Sequence, residues 1–153
     1  AGDDDIDAGE DGSRDIVVGD NGTATFVVEL VDSSPINVLA DIRTSYPEFG
    51  GDDYIRAGDG DDVILGGSGN DFLNGGRHRD RLSGGAGSDR LRGGAAGDSL
   101  NGNSGADELL GGHGADSLSG NGGADFLSGG SRFDECSGGP GDDRIVADCE
   151  QQH

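Results

Sequence analysis

The chain has no tryptophan and no methionine, only three prolines among 153 residues, and aromatic residues make up 5% of it. Leu, Ile, Val and Phe together amount to about a fifth of the residues, too little for an ordinary globular core. No apolar run approaches the length of a membrane-spanning helix. Positive charge is scarce as well. Ten basic residues stand against 31 acidic ones, for a net charge of −21, which argues against nucleic acid or an anionic membrane as partner and toward cations. No zincin helix motif, no G-x-S-x-G elbow and no Cys/His cluster at zinc spacing occurs, so the chain carries none of these hydrolase or zinc signatures. By composition alone this is a disordered polyanion rich in glycine, with 33 residues of that type.

The order of the residues reverses that reading. From about Gly50 to Val146 one large residue returns every nine positions: Ile55, Ile64, Leu73, Leu82, Leu91, Leu100, Leu109, Leu118, Leu127, Cys136 and Ile145. Two residues before each stands an aspartate: Asp53, Asp62, Asp71, Asp80, Asp89, Asp98, Asp107, Asp116, Asp125, Asp134 and Asp143. A glycine-rich turn precedes each aspartate, such as GGSGND over Gly66 to Asp71. The spacing predicts a turn of six residues and a strand of three, whose central residue points inward because side chains alternate along a strand. Two repeats then make one coil, giving two facing parallel sheets. One stacks Ile55, Leu73, Leu91, Leu109, Leu127 and Ile145; the other stacks Ile64, Leu82, Leu100, Leu118 and Cys136. Each repeat buries one large apolar side chain while ordering nine backbones, so the core is too thin to hold against chain entropy alone. Stacked turns also bring aspartates together. A hard divalent cation answers both problems, since Ca²⁺ takes six to eight oxygens in a flexible shell and accepts backbone carbonyls.

The nonapeptide G-G-x-G-x-D-x-U-x, with U large and apolar, resembles the RTX (repeats-in-toxin, hemolysin-type) calcium-binding repeat. The resemblance covers about 97 residues and keeps every ligand aspartate. It implies an all-β parallel β-roll, a two-sheet β-solenoid with two nonapeptides per coil. It further implies that each Ca²⁺ lies between one turn and the turn two repeats later. Eleven turns give nine such pairs, hence about nine ions, whose +18 nearly cancels the net charge of −21. The implied ligands are the eleven aspartates, with Asp4 as a weaker candidate. Turn carbonyls complete the set, at Gly58, Gly60, Gly67, Gly69, Gly76, Gly85, Gly87, Gly94, Gly105, Gly112, Gly114, Gly123, Gly130, Gly139 and Gly141.

The array is graded. Residues 1–26 read as worn repeats. Asp4 precedes Ile6 correctly, but Arg14 and Ala24 fall at the ligand position before Ile16 and Phe26, where the spacing has grown to ten. The chain opens inside a repeat-like turn, as expected of a mature or excised segment. Residues 27–49 break the pattern and predict an inserted β-hairpin around Asp32-Ser33-Ser34-Pro35, packing near Tyr54 and Phe72 or Val63 and Leu65. Within 50–146, Ala57 replaces the first glycine of its turn, Asn103 and Asn121 the second, and His78, Ala96 and Arg132 the third. Because these glycines serve positive φ or close approach, and Asn tolerates positive φ better than Ala, Arg or His, the last three turns are the expected weak or altered cation sites. Residues 147–153 form a C-terminal cap, with a Cys136–Cys149 bridge expected over the open end of the coil and two buried thiols as the alternative.

Three functions fit. The leading one is a calcium-dependent folding and scaffold module of a secreted, extracellular or cell-surface protein, itself no enzyme, attached to other domains. A surface-binding or adhesion array is the second. Its ice-binding form wants a regular row of Thr or Asn, where one face here shows Tyr54, Phe72, Arg90, Glu108, Phe126 and Arg144. The third is the non-catalytic region of a secreted protease or lipase.

Overall fold

The structure is a computed structural model that describes residues 50–146, 148 and 149 in full, together with the backbone of 5–7, 16–18, 150 and 151. The inserted hairpin expected over 27–49, and Asp4, Arg14 and Ala24, lie outside the described residues.

Fourteen strands and no helix make up the described chain. Two short ones come first, β1 (Asp5–Asp7) and β2 (Ile16–Val18). Nine strands of six residues follow: β3 (Tyr54–Asp59), β4 (Val63–Ser68), β5 (Phe72–Arg77), β6 (Arg81–Ala86), β7 (Arg90–Ala95), β8 (Ser99–Ser104), β9 (Glu108–His113), β10 (Ser117–Gly122) and β11 (Phe126–Ser131). The end is formed by β12 (Asp134–Ser137), β13 (Arg144–Ile145) and β14 (Cys149–Gln151). Odd-numbered strands from β1 to β13 build one parallel sheet; β2 to β12 with β14 build the other. The expected inward stacks are found residue for residue, Ile55 beside Leu73 in one sheet and Ile64 beside Leu82 in the other. These residues are buried down to Cys136, and Ile145 at the end is partly buried against them. The chain is a parallel β-roll.

The repeat divides differently from the expected six and three. Each long strand continues through the first two positions of the glycine-rich turn, so that Gly58 pairs with Gly76 and Gly67 with Gly85. Only about three residues are left to turn the corner. Along β5 the burial alternates, with Leu73 and Gly75 both inward. The second inward position is therefore glycine in β4 to β11 and Ala57 in β3. Sequence alternation marks the leucine but cannot show a glycine as an inward residue.

The N-terminal strands continue both sheets. Ile6 pairs with Ile55, and Val17 with Ile64. The ladder is thus continuous across a long stretch of sequence between β2 and β3. The register corrects the expected alignment of the second worn repeat: Val17, not Ile16, stands opposite the inward Ile64. In the run Ile16-Val17-Val18 hydrophobicity alone cannot set the register; strand pairing can.

At the other end the Cys136–Cys149 disulfide is formed, with Cα atoms 5.5 Å apart. β14 pairs in parallel with β12 through Glu135 and Glu150, covering the last strand of its sheet. Asp148 helps to seat it. Its Oδ2 accepts hydrogen bonds from the Ser128 hydroxyl and the Gly130 N–H, both at 3.1 Å.

The outward row of the first sheet is paired along its length. Tyr54 and Phe72 stack with ring centroids 4.7 Å apart, and Arg56 lies over Tyr54. Arg90 and Glu108 form an ion pair at 2.6 Å, and Arg144 lies over Phe126.

Candidate metal centre

Each turn sets its aspartate at the corner where chain leaves one coil for the next strand, and successive corners on an edge lie one coil apart. The aspartates therefore form two ladders, Asp53, Asp71, Asp89, Asp107, Asp125 and Asp143 on one edge, and Asp62, Asp80, Asp98, Asp116 and Asp134 on the other. All but Asp143 are buried. Within each ladder the backbone N–H of one aspartate donates to Oδ1 of the aspartate eighteen residues on. Asp71 donates to Asp89 and Asp80 to Asp98, at 2.8 and 2.9 Å. The pattern runs from the bond between Asp53 and Asp71 to that between Asp125 and Asp143.

One oxygen of each carboxylate is thereby used. The other, Oδ2, folds over the first glycine of its own turn. At Gly75 a Cβ would collide with Oδ2 of Asp80, which explains why this inward position is glycine although its φ is ordinary. Ala57 is the described exception: its methyl is fully buried in the position whose Cβ elsewhere meets the carboxylate five residues on, here that of Asp62. The third glycine is required for a different reason. Gly87 has φ +134°, and a Cβ on it would strike the carbonyl oxygen of Gly69 in the turn below.

The five residues that replace a second or third turn glycine all adopt positive φ, as their positions require: His78 at 72°, Ala96 at 85°, Asn103 at 77°, Asn121 at 67° and Arg132 at 92°. Such a backbone costs a residue with a Cβ about 1 kcal/mol or more, with Asn the least penalised.

Oδ2 of Asp71, Asp80, Asp89, Asp98, Asp107, Asp116, Asp125 and Asp134 is buried with no hydrogen-bond partner. A buried carboxylate oxygen without a partner is costly. The charged form is correspondingly disfavoured. Burial pushes the Asp80 carboxyl up to about 8, against the lowering effect of the Asp62 N–H, with Asp98 and Asp62 adding repulsion. Burial likewise raises Asp98 to about 7, and Asp71 and Asp89 to about 6. Asp107, Asp116 and Asp125 are raised by the same cause. These ladders are short of positive charge and of donors for one oxygen per rung, which is the fit expected of a divalent-cation site. Among the described residues no three His, Cys, Asp or Glu side chains converge. A cation here would draw its remaining oxygens from backbone carbonyls, which suits Ca²⁺ and excludes the side-chain cages of zinc.

The model of the RTX calcium-binding nonapeptide repeat matches four times, over residues 49–82, 74–109, 101–134 and 120–148. The chain belongs to this family. Comparison with curated proteins and with solved structures gave no match.

In this RTX roll two features escaped the nonapeptide pattern. A short outer ladder runs through the variable position before the first aspartates: the Asn70 N–H donates to Asp52 and the Ser88 N–H to Asn70, at 2.6 and 2.8 Å. The Arg79 N–H donates to Asp61 in the same way at 3.0 Å. Asp148 is the other. Nothing in a glycine-free tail marks it, because its role depends on the chain having doubled back.

Proposed function

We propose that this RTX roll is a calcium-dependent folding and scaffold module of a secreted, extracellular protein, non-catalytic in itself and joined to other domains. The observation that carries the proposal is the pair of buried aspartate ladders in which Oδ2 has no hydrogen-bond partner from Asp71 through Asp134. Up to nine Ca²⁺, one for each stacked pair of turns, would be held by the eleven aspartates and the turn carbonyls. Binding free energy is then folding free energy. At low intracellular calcium the repulsion within the ladders keeps the chain open. Outside, where sites of this kind bind at about 10⁻⁴–10⁻³ M, it closes into the rod. The Cys136–Cys149 disulfide suits an oxidising compartment. Residues 1–153 act as one domain, with 27–49 as an insertion in the roll.

Small-angle scattering tests this. With millimolar calcium the chain should be a compact rod; with EGTA at the same ionic strength it should expand to the dimensions of an unfolded chain. A rod of unchanged size in EGTA contradicts the proposal.

A further inference from the structure

The two edges of the roll differ in a way that bears on how many of the nine pairs can hold calcium. On the edge of Asp71, Asp89 and Asp107, the third turn residue is glycine in every repeat: Gly51, Gly69, Gly87, Gly105, Gly123 and Gly141. The last five have φ between 126° and 153°. On the edge of Asp80, Asp98 and Asp116, the same column reads Gly60, His78, Ala96, Gly114 and Arg132, and its three substituted members have φ between 72° and 92°.

The difference has a steric cause. A third glycine lies with its Cα against the carbonyl oxygen of the turn eighteen residues earlier, as Gly105 does against Gly87. A Cβ cannot enter there, so His78, Ala96 and Arg132 take another path. Rotation at φ re-aims the carbonyls on either side of it, and those carbonyls are the ones a cation between stacked turns must use. Every stacked pair on this edge contains at least one substituted turn: 60 with 78, 78 with 96, 96 with 114, and 114 with 132. No pair on the other edge is substituted at the third position, although Asn103 and Asn121 replace the second glycine there, at φ 77° and 67°.

Charge follows the same division. The basic turn residues Arg77, His78, Arg79, His113 and Arg132 all stand on the substituted edge, and the opposite edge has none between Gly50 and Asp143. Arg77 pairs with Asp59 of the turn below at 3.3 Å. Positive charge from the chain itself thus lies on the edge whose third glycines are replaced.

We infer that the roll holds calcium on one edge only at full strength, in the five turn pairs from Gly51 to Gly141, and that the four pairs on the edge of His78, Ala96 and Arg132 are impaired, with arginines supplying part of the missing charge. This rests on the calcium reading of the ladders and divides its nine sites into five and four.

Native mass spectrometry of the full chain over a calcium titration counts the ions directly. The wild-type chain takes up five ions first, with any further ions needing at least tenfold more calcium. The triple variant His78→Gly/Ala96→Gly/Arg132→Gly, which restores the third glycines, takes up more than five at the lower concentration, approaching nine. Six or more ions of one affinity in the wild-type chain, or a restored variant that gains none, overturns the inference and leaves calcium binding intact. A chain that takes up no calcium at all removes both.

Discussion

The backbone N–H of Asp80 donates to Oδ1 of Asp98 at 2.9 Å, while Oδ2 of Asp98 is buried without a partner. The same side chain therefore joins two coils and leaves a buried oxygen that a bound cation would satisfy. The charge can be removed without the hydrogen bond.

Asp89→Ala deletes both. It leaves the buried Asp71 N–H without its acceptor, at a cost of about 1–3 kcal/mol, and removes a carboxylate from two turn pairs. Asp89→Asn keeps an acceptor for the N–H and removes only the charge. Urea unfolding in saturating calcium should rank wild type above Asn above Ala. The calcium midpoint should rise in both variants.

Proton linkage acts in opposite directions with and without calcium. The raised aspartates bind protons more tightly folded than unfolded. The stability they contribute to the metal-free roll is fully present below the ordinary carboxylate range near 4 and is lost as pH rises through about 6 for Asp71 and Asp89, about 7 for Asp98 and about 8 for Asp80. Metal-free chain should gain β structure by circular dichroism when taken from pH 8 to pH 4.5. In calcium the order inverts, because protons compete with the ion, and the calcium midpoint should rise as pH falls.

Gly75 is held to glycine by space and not by φ. Gly75→Ala pushes a methyl into Oδ2 of Asp80 and should cost about 1–3 kcal/mol, read as a lower urea midpoint in calcium. Ala57→Gly makes the reverse change above Asp62 and should lower the calcium concentration needed to fold, even though glycine in a strand loses more chain entropy.

Opening the Cys136–Cys149 bridge should cost about 3 kcal/mol by the chain-entropy estimate for a loop of this size. Hydrogen exchange on Cys149→Ser in calcium should show lost protection confined to β12–β14, with the ladders from Asp71 to Asp107 unchanged.

Most of the fold was legible in the sequence, because a strict nine-residue period leaves one way to place Leu73, Leu91 and Leu109 in one sheet and Leu82, Leu100 and Leu118 in the other. Positive φ at His78, Ala96, Asn103, Asn121 and Arg132 was legible for the same reason, each standing where a glycine belongs. The inward role of Gly75 was hidden, since a residue without a side chain gives no hydrophobic signal. Val17 was hidden in a run of three apolar residues until pairing with Ile64 fixed its register. Asp148 and the outer ladder through Asp52 and Asn70 depend on residues brought together only by stacking.

The central claim is that calcium folds the roll, and far-ultraviolet circular dichroism through a calcium titration, with magnesium and EGTA controls, tests it most directly. The account predicts an unfolded spectrum in EGTA and in magnesium, and a cooperative change to a β spectrum as calcium rises. A β spectrum in EGTA at neutral pH, unchanged by added calcium, would contradict it.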